Sequence, residues 1–160
     1  MPRATQRLAL ATYVRLVRAA NTARACAARH LGDSGLTLTQ FAVLEALYHL
    51  GPLSLTEIAE KVLTTGGNLT MVAGNLERDR LMRRQKSPQD GRVQIVALTA
   101  KGRALMRRVF PVHAAAIVEF MATLNGPELG QLGELCRRLG RQVPPANAGS
   151  GSREAHKSAG

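Results

Sequence analysis

The stretch from Ser54 to Leu98 constrains the fold more than any other part of the chain. Ser54 and Glu57 stand three residues apart ahead of Ile58, Ala59 and Val62. That is a capping box, in which each side chain bonds the other's free backbone N–H, so a short helix starts here. Thr65, Gly66 and Gly67 interrupt it. From Gly67 to about Asp79, the apolar residues Leu69, Val72, Ala73 and Leu76 recur at i, i+3, i+4 and i+7, which is one face of a second helix. The opposite face carries Asn68, Met71, Asn75 and Arg78, with Thr70 and Gly74 at its margins. Two strand-like pieces follow, 81–86 and 93–98, around a turn-rich tip that ends in Asp90-Gly91. Val93, Ile95 and Val96 are β-branched, as a pleated strand favours. Capped helix, break, helix with a polar outer face and basic hairpin together spell a winged helix-turn-helix.

The flanks are helical. Residues 5–30 read as one amphipathic helix with Leu10, Val14 and Val17 on a stripe, closed by the turn around Gly32 and Gly35. Thr37 and Gln40 form another capping box, followed by Phe41, Leu44, Leu47 and Tyr48 at helical spacing and stopped at Gly51-Pro52. A long helix begins at Thr99. Leu105, Val109, Val112, Ala116 and Phe120 make its stripe, widened by Met106, Phe110, His113, Ile117 and Met121. Pro111 lies inside it and predicts a kink or a break. Residues 127–140 give a last helix with Leu129, Leu132, Leu135 and Leu139 on one face, and the chain after Val143 has a disordered composition. The fold class is therefore mainly α with a small β-wing. The expected organisation is a dimerisation helix in 1–35, the winged domain in 36–102, dimerisation helices in 103–142 and a tail in 143–160.

Charge narrows the function. The chain has 22 Lys and Arg against 11 Asp and Glu, a formal +11, which favours a polyanionic partner, nucleic acid before an anionic membrane surface. Ten of those basic residues fall in 78–108, beside only Asp79 and Asp90. Aromatics are 3% of the chain, too few for a single-strand binder that stacks bases on rings. A basic, acid-free N-terminus also suits an organelle presequence, but Arg15 and Arg18 interrupt any apolar signal core and no serine precedes Ser34, so the helix reading is preferred. No apolar run reaches the length of a membrane span. Cys26 and Cys136 match no disulfide framework or zinc spacing, and His30, His49, His113 and His156 form no ligand pattern, so neither a metal nor another cofactor is expected. With no nucleophile–base set and no phosphate loop, the chain does not read as an enzyme.

The chemistry of a winged helix fits duplex DNA. Asn side chains read adenine N6 and N7 in the major groove, and Thr contacts thymine methyls. Arg92 at the hairpin tip suits a narrow minor groove, with Asp90 to aim it, while Arg83, Arg84 and Lys86 suit phosphates. The expected DNA-facing set is Thr65, Gly67, Asn68, Thr70, Met71, Asn75, Arg78, Arg83, Arg84, Lys86, Asp90 and Arg92. Arg103, Arg107 and Arg108 read as solvent-facing helix charge.

Three stretches, LTLTQFAVLEAL (36–47), SLTEIAEKVLTTGGNLTMVAGNLERD (54–79) and LMRRQKSPQDGRVQIVALTAKG (81–102), resemble the multiple-antibiotic-resistance regulator (MarR) family of bacterial transcription factors. The Asp-Gly-Arg wing followed by V-x-x-V-x-L-T-x-x-G is the most specific part. The resemblance implies a homodimer on a pseudo-palindromic operator, usually repressing in the bacterial cytoplasm and on the nucleoid, released by a small phenolic or other lipophilic effector. It also implies an effector pocket, for which Tyr13, Phe41, Tyr48 and His113 are the candidate lining. Two other readings stand beside it: a thiol-oxidation sensor through Cys26, which Arg24 and Arg29 flank, and a winged helix that binds protein. The sequence departs from the family at Arg80, where a glycine commonly turns the chain, and at Gly74, where a larger polar residue is common. A non-glycine residue at 80 either avoids left-handed φ or bears strain of about 1 kcal/mol.

Overall fold

The computed structural model describes residues 3–62, 66–87, 90–91 and 93–141. They form α1 (Arg3–Arg29), a 3-10 turn (Gly32–Ser34), α2 (Leu38–Leu50), β1 (Leu53–Ser54), α3 (Leu55–Val62), α4 (Gly66–Arg78), β2 (Met82–Lys86), β3 (Gln94–Leu98), α5 (Ala100–Met121) and α6 (Gly126–Gly140). The chain divides into two compact units, with α1 to α5 in the first and α6 in the second.

Both expected capping boxes close as the side chains require. Thr37 Oγ1 accepts from the Gln40 N–H at 3.2 Å while Gln40 Oε1 accepts from the Thr37 N–H at 2.8 Å. Glu57 Oε2 accepts from the Ser54 N–H at 2.7 Å, and Ser54 Oγ accepts from the Glu57 N–H at 3.2 Å. Ser54 Oγ also donates to Glu57 Oε2 at 2.8 Å, and the bonds that the carboxyl accepts from the Ser54 N–H and hydroxyl hold it below its ordinary pKa. A third box, Asn125 with Glu128, starts α6 and was not anticipated from the sequence.

The wing is a three-stranded antiparallel sheet in the order β1-β3-β2. Its hairpin register pairs Met82 with Leu98 and Lys86 with Gln94. The extra strand, β1, pairs Leu53 with Val96 and Ser54 with Ile95. Ser54 thus ends a strand and caps a helix at once.

The core lies under this sheet. Phe41, Val43, Leu44 and Leu47 of α2, Ile58 of α3, and Leu69, Val72, Ala73 and Leu76 of α4 pack with Leu81, Met82, Val96, Met106 and Val109. The stripe expected on α4 is buried residue for residue. On α5 the buried face is narrower than the expected set. Gly102, Met106, Val109, His113 and Ala116 are buried, whereas Val112 is 58% exposed. The helix also runs through Pro111 as one element, which removes the expected break. The 143–160 tail lies outside the described residues, and no single helix among them is long and apolar enough to cross a membrane.

Candidate nucleic-acid interface

Helix α4 is fixed on one side and open on the other. Leu69, Ala73 and Leu76 are essentially inaccessible, while Asn68, Thr70, Met71, Gly74 and Arg78 are exposed and Asn75 is half-buried. Met71 stands out as an apolar side chain left 61% exposed. Gly67 sits in the first turn of α4, and Thr65 lies outside the described residues.

The C-terminal end of α4 is closed by two crossed backbone bonds. The Arg80 N–H donates to the Glu77 carbonyl and the Leu81 N–H to the Leu76 carbonyl, both at 2.9 Å. This is a Schellman motif, which places its turn residue in left-handed backbone and brings the next residue onto the helix's apolar face. Arg80 is that turn residue, with φ +58°, so it bears the strain that glycine avoids. Leu81 and Leu76 are both buried beside it.

The same junction is gripped by the start of α5. Thr99 Oγ1 donates to the Arg80 carbonyl at 2.7 Å and accepts from the Gly102 N–H at 3.0 Å. The Thr99 N–H donates to the Leu81 carbonyl at 3.1 Å, and Lys101 Nζ donates to the Asp79 carbonyl at 2.9 Å. Gly102 allows this approach: a Cβ there would stand 2.0 Å from the Leu81 carbonyl oxygen. The T-x-x-G motif is therefore a clamp that holds the end of α4 against α5. Its residues position the interface without forming it.

A second brace joins α4 to the wing. Glu77 Oε2 accepts from Arg84 Nε at 3.0 Å, and Glu77 Oε1 accepts from the Arg84 backbone N–H at 3.3 Å. Arg84, expected on phosphate, thus gives its Nε to a neighbour seven residues away. Glu77 was missed because nothing in a linear pattern places it opposite the strand. The pair is part-exposed, so its own contribution to stability is small, about 1 kcal/mol or less. Its consequence is geometric, since it sets the angle between strand and helix.

Arg83 and Lys86 on β2 are exposed. At the tip, the Ser87 N–H donates to the Val93 carbonyl at 2.8 Å and the Val93 N–H to the Asp90 carbonyl at 3.0 Å. Asp90 is exposed there, and Arg92 lies outside the described residues. Helix, strand and tip thus carry Met71, Asn75, Arg78, Arg83 and Lys86 on one braced framework.

The candidate effector residues are only partly brought together. Phe41 and His113 touch, with ring centroids 4.2 Å apart, and Tyr48 lies 6.2 Å from Phe110. Tyr13 is 65% exposed on α1 and joins none of these ring contacts. His113 is buried with Nδ1 unpartnered, and burial pushes its pKa below the ordinary 6.5, as does nearby His30, against an opposing pull from Glu45. Cys26 is half-buried and Cys136 exposed, and no cluster of metal-binding residues occurs among the described residues.

Residues 36–93 match the MarR family. Over 112 residues the chain is 40% identical to the HTH-type transcriptional regulator MhqR of Bacillus subtilis, covering 70% of this chain and 77% of that one. The chain belongs to the MarR family. Its fold matches that of Sco3205, a MarR family transcriptional regulator from Streptomyces coelicolor solved in complex with DNA, at a TM-score of 0.78 and 26% identity, over 89% of this chain and 92% of that one. A TM-score of 0.72 and 28% identity relate it to Bordetella bronchiseptica BpsR, whose DNA binding is regulated by 6-hydroxynicotinic acid, over 81% of this chain and 98% of that one. This MarR family chain is accordingly a DNA-binding transcriptional regulator and not an enzyme.

Proposed function

We propose that two copies of the chain pair and bind a pseudo-palindromic operator, with α4 of each in a major groove and each wing tip in the flanking minor groove. The observation that carries this reading is the braced framework itself. The Glu77–Arg84 contact and the Thr99 clamp hold the exposed face of α4 and the basic strand in one orientation, as reading two grooves at once demands. Within it Asn68, Thr70, Met71 and Asn75 face bases, Arg78, Arg83 and Lys86 face phosphates, and Arg92, aimed by Asp90, enters the minor groove. Arg84 acts through the brace.

Pairing is supported by what one copy leaves uncovered. Of the 27 residues in α1 only Ala27 is buried, and Leu8, Leu10, Tyr13, Val14 and Val17 are exposed. Leu132, Leu135 and Leu139 of α6 and Val112 and Val118 of α5 are exposed as well. A second copy of the chain covers such faces, and the residue ranges 1–35 and 103–142 then serve dimerisation. Occupancy of the operator represses transcription. A small lipophilic effector releases it by binding beside Phe41, Tyr48 and His113, a reading that the unpartnered His113 Nδ1 supports.

Titration of labelled genomic fragments, at several salt concentrations, tests the proposal. Binding that falls steeply with salt is expected, because each neutralised phosphate releases counterions. A flat salt profile, or no fragment bound, refutes it.

A further inference from the structure

The exposed face of α4 has an unusual chemical content. From Gly66 through Leu76 it holds no charged side chain. Guanine is read in the major groove chiefly by Arg or Lys donating to O6 and N7, so the middle of this face lacks the groups for it. What it offers instead is Met71, 61% exposed, with Gly74 one turn along and Asn75 beside it. Among the described residues a Cβ built on Gly74 would meet no atom within 4 Å, so the glycine answers no packing demand there. It is also unfavourable for the helix, since glycine in a helix interior is disfavoured relative to alanine. What an open glycine at this place does supply is room for the backbone to come close to a ligand.

We infer that Met71 and the gap at Gly74 form a reader of the thymine C5-methyl group, making the centre of each operator half-site a thymine contact and not a guanine contact. The inference rests on α4 being the major-groove helix. The Met71 thioether supplies an apolar, adaptable surface for the methyl, and the missing side chain at 74 lets the helix axis approach the base edge. Arg78 one turn beyond Gly74, and Arg83 and Lys86 on the strand, flank the uncharged patch with the positive charge that phosphates require.

The test separates this reading from DNA binding as such. Duplexes bound by the full chain are selected from a random-sequence library, and the selected duplex is then titrated with each thymine replaced in turn by uracil, which lacks only the methyl. At one position per half-site the replacement is expected to weaken binding about fourfold, the worth of one buried methyl. Met71→Ala, which removes the contact in both half-sites, should weaken binding to the thymine duplex about 16-fold and be indifferent to the uracil at that position. Gly74→Ala should raise the unfolding midpoint yet weaken binding, a pair of opposite changes that a purely structural glycine would not give. A flat uracil scan, or a penalty unchanged in Met71→Ala, overturns the thymine reader while leaving the regulator intact. Failure to select any duplex overturns the groove assignment on which it rests.

Discussion

Gly74 of α4 and Gly102 of α5 both sit inside helices, and the same substitution at each should move stability in opposite directions. At Gly102 an alanine Cβ would lie 2.0 Å from the Leu81 carbonyl oxygen, 2.9 Å from its carbon and 3.2 Å from Leu98 Cδ2. The first two are backbone atoms, and that oxygen accepts from the Thr99 N–H at 3.1 Å and from Thr99 Oγ1 at 3.2 Å. Relief therefore requires α5 to move away from the end of α4. Overpacking of this kind costs about 3 kcal/mol, and weakening two hydrogen bonds adds about 1 kcal/mol each. The better helix propensity of alanine returns about 1 kcal/mol. A net loss of about 4 kcal/mol is expected for Gly102→Ala. Gly74→Ala, with open space around its Cβ, should instead gain up to about 1 kcal/mol. Urea unfolding of the two variants and the parent, at one fixed protein concentration, reads both as shifts of the midpoint. If Gly102→Ala unfolds within about 0.5 kcal/mol of the parent, a range ordinary for surface substitutions, the clamp between α5 and the helix–strand junction is refuted.

Other outcomes follow from single residues. Arg80→Gly removes a left-handed non-glycine residue, at φ +58°, and should stabilise the chain by about 0.5–1 kcal/mol after the greater freedom of glycine in the unfolded state is counted, as chemical unfolding can show. His113 is held below its ordinary pKa of 6.5 by burial, so the unfolded chain takes up the proton more readily. Stability from this group is complete above about pH 6.5 and declines as the pH falls through that value toward the folded pKa. His113→Leu should flatten that part of the pH–stability curve, and an unchanged slope would contradict the assignment. Arg92→Ala should weaken operator binding by about 1–3 kcal/mol while leaving the pairing of copies unchanged in sedimentation.

Much of this was legible because several elements are decided locally. The α4 stripe at Leu69, Val72, Ala73 and Leu76 is one-sided, so its periodicity alone names the buried face. The boxes at Thr37 and Ser54 need only residues three apart. β1 was not legible, since a strand of two residues carries no period and one of them doubles as a helix cap. On α5 the expected apolar set was wider than the buried one, with Val112 turned outward, for a related reason. A helix apolar on two sides gives no unique stripe, and the choice of Gly102, Met106, Val109 and His113 over Val112 is made by what packs against it. The Glu77–Arg84 brace belongs to the same class, because the Schellman turn at Arg80 folds the strand back across the helix and no spacing rule encodes that meeting. Of the expected interface, Thr65 and Arg92 lie outside the described residues, and the remaining members fall on α4, β2 and the hairpin tip.

The central claim is that two braced helix-and-wing units read one duplex together, and hydroxyl-radical footprinting of the chain on its selected operator tests it most directly. Two protected patches related by two-fold symmetry and centred about 10 base pairs apart are expected, with further protection in the outer minor grooves. A single asymmetric patch, or symmetric patches at a spacing that puts the two helices on opposite faces of the duplex, would contradict it.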